Sequence, residues 1–130
     1  MTSRAEDWFR QALRDLQLAR AALEHETFEW AAFAAQQSAE KAVKALYQRL
    51  GGDARGHAVS RLLGELPPVA RPGDELIETA KELDKHYIAP RYPNSYPEGA
   101  PMDFYTRADA ERAIAAAERV IEHCKSHVFR

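Results

Sequence analysis

The run Ala34-Ala35-Gln36-Gln37-Ser38-Ala39-Glu40-Lys41-Ala42-Val43-Lys44-Ala45-Leu46 decides the fold. It holds no proline or glycine and is rich in alanine, the residue of highest intrinsic helix propensity. Ala35, Ala39, Ala42, Val43 and Leu46 recur at steps of three and four and define one apolar face. Small side chains on that face let another helix axis come close, so the run predicts the central helix of a packed bundle. The other face carries Gln36, Gln37, Glu40, Lys41 and Lys44. Its simplest reading is a solvated face, with Glu40 and Lys44 four apart in a pair worth about 0.2–0.5 kcal/mol.

Upstream, Trp8, Ala12, Leu16, Ala19 and Leu23 form a second stripe at helical spacing. Thr2 or Ser3 is placed to cap this first helix, Glu6 and Asp7 favour its N-terminal dipole, and it should end near His25. Glu26-Thr27 is a short break with Thr27 as the next cap. The central helix then spans Phe28 to about Leu50, where Gly51-Gly52 stops it. So short a connection makes the two helices antiparallel neighbours.

Downstream, Val59, Leu62, Leu63 and Leu66 are the buried side of a short third helix, with His57 or Ser60 near its start and Pro67-Pro68 at its end. Asp74 is the expected cap of a fourth helix, whose stripe is Leu76, Ile77, Ala80, Leu83 and Tyr87 or Ile88. From Tyr87 to Tyr105 the character changes. Pro90, Pro93, Pro97 and Pro101 oppose a regular helix, and Tyr87, Tyr92, Tyr96, Phe104 and Tyr105 oppose disorder. An ordered loop packed on the bundle is expected, because loops of this length are usually functional or disordered. Thr106 caps the last helix, with Asp109 in place of the capping-box Glu, and Ala110, Ala113, Ile114, Ala117, Val120, Ile121 and Cys124 form its stripe. No run alternates apolar and polar as a strand does. The expectation is an all-α, up-and-down bundle of about five helices with one long proline- and tyrosine-rich loop before the last, in a single domain over residues 1–130.

At 130 residues the chain is long enough to bury a core. Its 18 basic and 20 acidic residues leave a formal charge of −2, so no overall basic field draws it to nucleic acid, although local basic patches remain open. The lone cysteine, Cys124, excludes an internal disulfide and a multi-cysteine zinc site and reads as a small core residue. No apolar run approaches a membrane span, and the first residues lack an apolar signal region, so a cytoplasmic protein is expected.

Three blocks, in order, resemble the HEPN family of small prokaryotic helical domains. They are the amphipathic opening helix from Trp8 through Ala19, the block from Ala35 to Leu46, similar to a QxAEKxxKAL pattern, and Leu83-Asp84-Lys85-His86-Tyr87-Ile88-Ala89-Pro90-Arg91-Tyr92-Pro93, similar to LDxxYIxxRYP. His57 ahead of the leucine-rich helix also matches a usual position. The resemblance covers nearly the whole chain. It implies a homodimeric bundle, often encoded beside a minimal nucleotidyltransferase. In some such pairs the HEPN protein is an RNA-cutting toxin and the transferase its antitoxin. In others a nucleotide-binding or scaffolding role has been proposed.

The ribonuclease branch of that family uses an arginine followed, after four to six residues, by a histidine. Arg91 is the arginine in the nearest place, but Tyr96 stands where the histidine would be, and no histidine follows until His123. A tyrosine, with its ordinary pKa of about 10, is a poor general base at neutral pH. Arg20 and His25 match the spacing at the wrong end of the chain, and residues five apart on a regular helix diverge by about 140°. His25 suits a helix C-terminus, where the dipole favours a cation. His123 and His127 lack a third ligand at matching spacing and read as an exposed helix end, and no metal or cofactor is expected.

Arg91 is therefore the leading site residue, since its guanidinium fork suits phosphate. Tyr92 and Tyr96 are candidates to stack on a base, and Lys41 and Lys44 are candidate phosphate partners. The competing account has Arg91 pinning the loop by donating to carbonyls or Asp84, with the tyrosines as packing. The leading functional expectation is a non-enzymatic homodimer that binds a nucleotidyltransferase and a nucleotide or RNA, in a toxin–antitoxin-type pair. The alternative is an RNA-cleaving toxin using Arg91 with Tyr96, or with His57 or His86 brought in by folding. Phe9, Trp30 and Phe33 are candidates for the dimer face if they lie off the main stripes.

Overall fold

The apolar stripes become helices at the expected places. In the computed structural model, which describes residues 3–129, the order is α1 (Ala5–Glu24), α2 (Phe28–Arg49), α3 (Val59–Gly64), α4 (Asp74–Asp84), a 3-10 turn (Pro93–Ser95), the single turn α5 (Pro101–Phe104) and α6 (Arg107–Val128). The long helices run up and down in one all-α bundle, and α2 packs against α1 and α6 with α3 and α4 alongside. Among the described residues no helix is long and apolar enough to cross a membrane.

The helix ends follow backbone chemistry closely. Ser3 Oγ accepts from Ala5 N at 3.0 Å and so serves the start of α1. Thr2, the other candidate cap, lies outside the described residues. At the α1–α2 corner Glu26 adopts φ +61°, Glu26 N donates to Leu23 O, and Thr27 N donates to Ala22 O. That is a Schellman closure with a glutamate in the left-handed position glycine usually takes. Thr27 does not cap α2, because its hydroxyl donates back to Ala22 O at 3.1 Å instead. The end of α2 repeats the motif with Gly51 at φ +76° and Gly52 N donating to Tyr47 O at 2.9 Å. Asp74 is the first residue inside α4, not its cap, which is Gly73. Thr106 and Asp109 form the expected reciprocal capping box of α6.

The proline- and tyrosine-rich segment is not wholly irregular; it is anchored at the buried Pro90 and Pro101 and by the His86–Tyr105 contact, whereas Tyr92, Met102 and Phe104 are exposed, so it packs on the bundle only in part. Pro93 and Pro101 each open a helical turn, a position where the missing N–H costs nothing.

Two expectations about burial are overturned. Phe9 is only 2% exposed and meets Phe129 edge-to-face, so it belongs to the core and not to a dimer face. The polar face of α2 is not solvated either. Twelve of its 22 residues are buried, among them Gln36, Ser38 and Glu40. A central helix covered on nearly all sides must satisfy its polar groups internally, and this need builds the site described next. Cys124 is a buried free thiol whose pKa is pushed far up by desolvation, so it is an inert core residue.

Candidate functional site: a buried carboxylate, a histidine and an arginine on an aromatic seat

The site starts at Glu40. Burial acts to raise its pKa, but hydrogen bonds from Gln36, Lys44 and His57 outweigh it and hold the carboxyl below its usual range. Gln36 Nε2 donates to Glu40 Oε1 at 3.0 Å and lies 3.1 Å from the carbonyl of His57, and Lys44 Nζ donates to Glu40 Oε2 at 3.0 Å. Gln37 Nε2 in turn donates to Gln36 Oε1 at 2.8 Å. His57 Nδ1 stands 3.1 Å from Glu40 Oε1. An ionised carboxylate only accepts, so Nδ1 of His57 carries a hydrogen toward Glu40. The His57 side chain is 48% exposed. It borders a cleft of about 360 Å³ together with Asp84, Lys85, Tyr87 and Ser95.

Tyr87 joins this group to Arg91. The His57 ring stacks on Tyr87 at 4.2 Å with 14° between planes. The Arg91 guanidinium lies 4.7 Å from the centre of that same ring, 4.6 Å from Phe33 and 5.2 Å from Tyr92. Arg91 Nε donates to the Tyr87 carbonyl at 2.7 Å, and this contact fixes the side chain. Among the described residues Arg91 has no carboxylate partner. Asp84, the acid considered for that role, instead accepts from the hydroxyl of Ser60. Arg91 thus pins the loop through Nε at the Tyr87 carbonyl, as the competing account expected of a carbonyl, and its terminal nitrogens have no carboxylate among the described residues. A guanidinium set against aromatic rings and not neutralised by an acid is suited to receive a phosphate or carboxylate.

The other predicted residues divide. Tyr92 is 47% exposed at the edge of this seat, and Lys44 reaches it through Glu40. Lys41 turns toward α1 and pairs with Asp15 at 2.5 Å. Tyr96 makes no contact with Arg91 but stacks on Phe104 at 4.5 Å, and burial, aided by the charge of Asp109, raises its pKa. It is the weakest candidate base of those considered. His86 is buried between Glu82 and the Tyr105 hydroxyl, each at 2.8 Å, and ties α4 to the aromatic segment. His123 donates from Nε2 to the Ala70 carbonyl at 2.7 Å, so this helix end is partly buried and tied down, not exposed. Among the described residues no cluster of three or more His, Cys, Asp or Glu is placed to hold a metal.

Sequence reasoning missed Phe33, Tyr87 and the role of Glu40. A signal existed for two of them: Tyr87 is one turn before Arg91, and Phe33 is one turn before Gln37 on the polar edge of α2.

Phe33 also borders an apolar groove of about 580 Å³ between α1 and α2, shared with Leu18, Ala21, Trp30 and Ala34. Leu18 is 60% and Trp30 48% exposed.

Comparison with known proteins gives a consistent result. A family model described as the HEPN domain matches residues 5–127. The Methanocaldococcus jannaschii protein named "Putative toxin MJ1304" is 31% identical over 127 residues, which cover 91% of this chain and 84% of that protein. The crystal structure of TT1696 from Thermus thermophilus matches with a TM-score of 0.93 at 40% identity, covering 97% of this chain and 99% of that one. ST0689, an archaeal HEPN homologue, matches at 0.82 and 42% identity over 98% of this chain and 99% of its own. TM0613, a HEPN domain protein of Thermotoga maritima, matches at 0.77 and 40% identity over 95% of this chain and 98% of its own.

Proposed function

The chain belongs to the HEPN domain family, and from that premise we propose that it is a homodimeric module of a toxin–antitoxin-type pair. It binds a partner nucleotidyltransferase, together with a nucleotide or RNA, through the Arg91 region and the adjoining edge of α2. The observation that carries the ligand part is the Arg91 guanidinium: seated on Phe33, Tyr87 and Tyr92, and without a carboxylate among the described residues. The aromatic rings remove water from one side of the cation and orient its fork, which favours a planar, bidentate anion contact. The pairing with a transferase rests on family resemblance and on the relative that carries toxin in its name.

The dimer reading is supported by the apolar groove between α1 and α2, where Leu18 and Trp30 leave large apolar surface in water. Phe33 lies both in that groove and under Arg91, so a second copy seated there brings two Arg91 sites close to one interface. Light scattering of the wild-type protein is expected to give twice the chain mass, and Leu18→Glu is expected to give the chain mass with helical content unchanged. A wild-type monomer would count directly against the dimer.

A second reading is favoured by one specific observation. His57, held at Nδ1 by Glu40, shares the Tyr87 ring with Arg91. In that reading the protein cuts RNA with His57 as base and Arg91 on the phosphate. An RNA degradation assay separates the two. The first reading expects no cleavage by wild type; cleavage abolished by both Arg91→Ala and His57→Ala would establish the second.

A further inference from the structure

Away from Arg91, the first half of α1 and one residue of α2 enclose a second cleft, of about 650 Å³. Its walls are Arg4, Asp7, Trp8, Arg10, Gln11, Arg14 and Lys41. Four cations and one carboxylate thus meet in one concavity of a chain whose formal charge is −2. The single acid is engaged by Arg4 at 2.7 Å, and Arg10 reaches it only at 3.7 Å with 80% of its side chain exposed. Arg14 forms no ion pair among the described residues. Lys41 is satisfied by Asp15, which also takes the Gln11 amide at 3.1 Å. Trp8 packs one part of its indole on the core and leaves the rest in the cleft.

Arg4 and Lys41 have structural ion pairs, but a structural role does not account for Arg10 and Arg14. Arg10 and Arg14 bridge no helices, whereas Arg20 on the same helix does bridge, to Glu118 of α6 at 2.6 Å. Like charges gathered in a concave surface focus the local potential on an incoming anion. Arginine forks beside a partly exposed indole edge combine a grip on a phosphate backbone with a surface on which a base can stack without reading sequence. We infer that this cleft is a binding site for single-stranded polynucleotide, with Arg10 and Arg14 on backbone phosphates and Trp8 stacked on a base. The inference stands on the α1 cleft alone.

The test is fluorescence anisotropy with labelled oligo(rU) and oligo(dT) of roughly 12 nucleotides, within the usual span of a single-strand site. It is run across a salt series on wild type, on the double variant Arg10→Ala with Arg14→Ala, on Trp8→Phe and on Arg91→Ala. Wild type is expected to bind. The arginine pair should weaken binding about tenfold and flatten the salt dependence by about 1.4 in log–log slope, the loss of two phosphate contacts. Trp8→Phe should remove most of the tryptophan quenching seen on binding. Equal affinity for both oligonucleotides marks backbone recognition; preference for oligo(rU) marks contact with the 2′-hydroxyl, and either supports the site. Wild type that does not bind, or binding unchanged in the arginine pair, overturns it. Binding lost only in Arg91→Ala overturns this cleft and leaves the Arg91 reading standing; binding lost only in the arginine pair does the reverse. If the arginine pair instead loses only an acidic protein partner, the cleft is a protein-docking surface and the inference fails.

Discussion

Glu40 is the residue on which most of the site depends. Buried carboxylates are tolerated only when their oxygens are filled, and here Gln36, Lys44 and His57 fill them. Removing the side chain leaves Lys44, 15% exposed, without its counter-charge. Glu40→Ala is therefore expected to cost about 3 kcal/mol, measured by chemical denaturation. The pH dependence has a defined sign. The folded pKa lies below the unfolded value, so Glu40 contributes stability that is present above about pH 4.5 and lost as pH falls through the folded value. Glu40→Gln is expected to reduce the slope of stability against pH on the acid side of 4.5 and to leave it unchanged near neutrality. An unchanged acid slope would show that this carboxylate is not held down by its partners. The sequence made Glu40 and Lys44 visible as a pair but not their burial, because the spacing of polar residues on one helix does not reveal what packs over them.

Among the elements, α2 and α6 were the most legible. Their small-residue stripes, the glycine stop of α2 and the capping box of α6 are local, and local chemistry is what a sequence displays, although the Thr27 cap expected for α2 does not form. Arg91 was visible as a candidate because it is a lone arginine among prolines and aromatics. Its seat was not. Phe33 and His57 arrive from α2 and from the α2–α3 loop, and only the bundle topology brings them to Tyr87. Tyr96 failed as a partner for a related reason: the one-turn α5 presents Phe104 to it, and stacking there draws the ring away from Arg91. The α1–α2 corner makes a prediction of its own. Glu26 holds φ +61°, a conformation that costs a side-chain-bearing residue about 1 kcal/mol and glycine nothing. Its 3.8 Å contact with Arg107 is exposed and contributes little. Glu26→Gly is expected to raise stability by at most about 0.5 kcal/mol once the added unfolded-state entropy of glycine is subtracted. A loss of stability would mean that the Arg107 contact matters more than the backbone.

At the scale of the molecule, one internal polar network and one charged cleft share the α1–α2 helix pair. Glu40, His57, Tyr87 and Arg91 run outward from the core, and Phe33 connects them to the exposed groove of Leu18 and Trp30. The family and the bundle were readable from residues 35–46 and 83–93, since those blocks carry both the packing pattern and the resemblance. The groove was only half readable, because Trp30 and Phe33 do lie off the core while Phe9 does not. The central claim is that Arg91 on its aromatic seat receives the phosphate of a nucleotide. A thermal unfolding series with ATP tests it most directly, since a ligand that binds only the folded state stabilises by about 2.7 kcal/mol at a hundredfold excess over its Kd. Wild type is expected to gain several degrees in Tm with ATP, and Arg91→Ala none. No ATP-dependent shift in wild type, or an equal shift in Arg91→Ala, would contradict the claim.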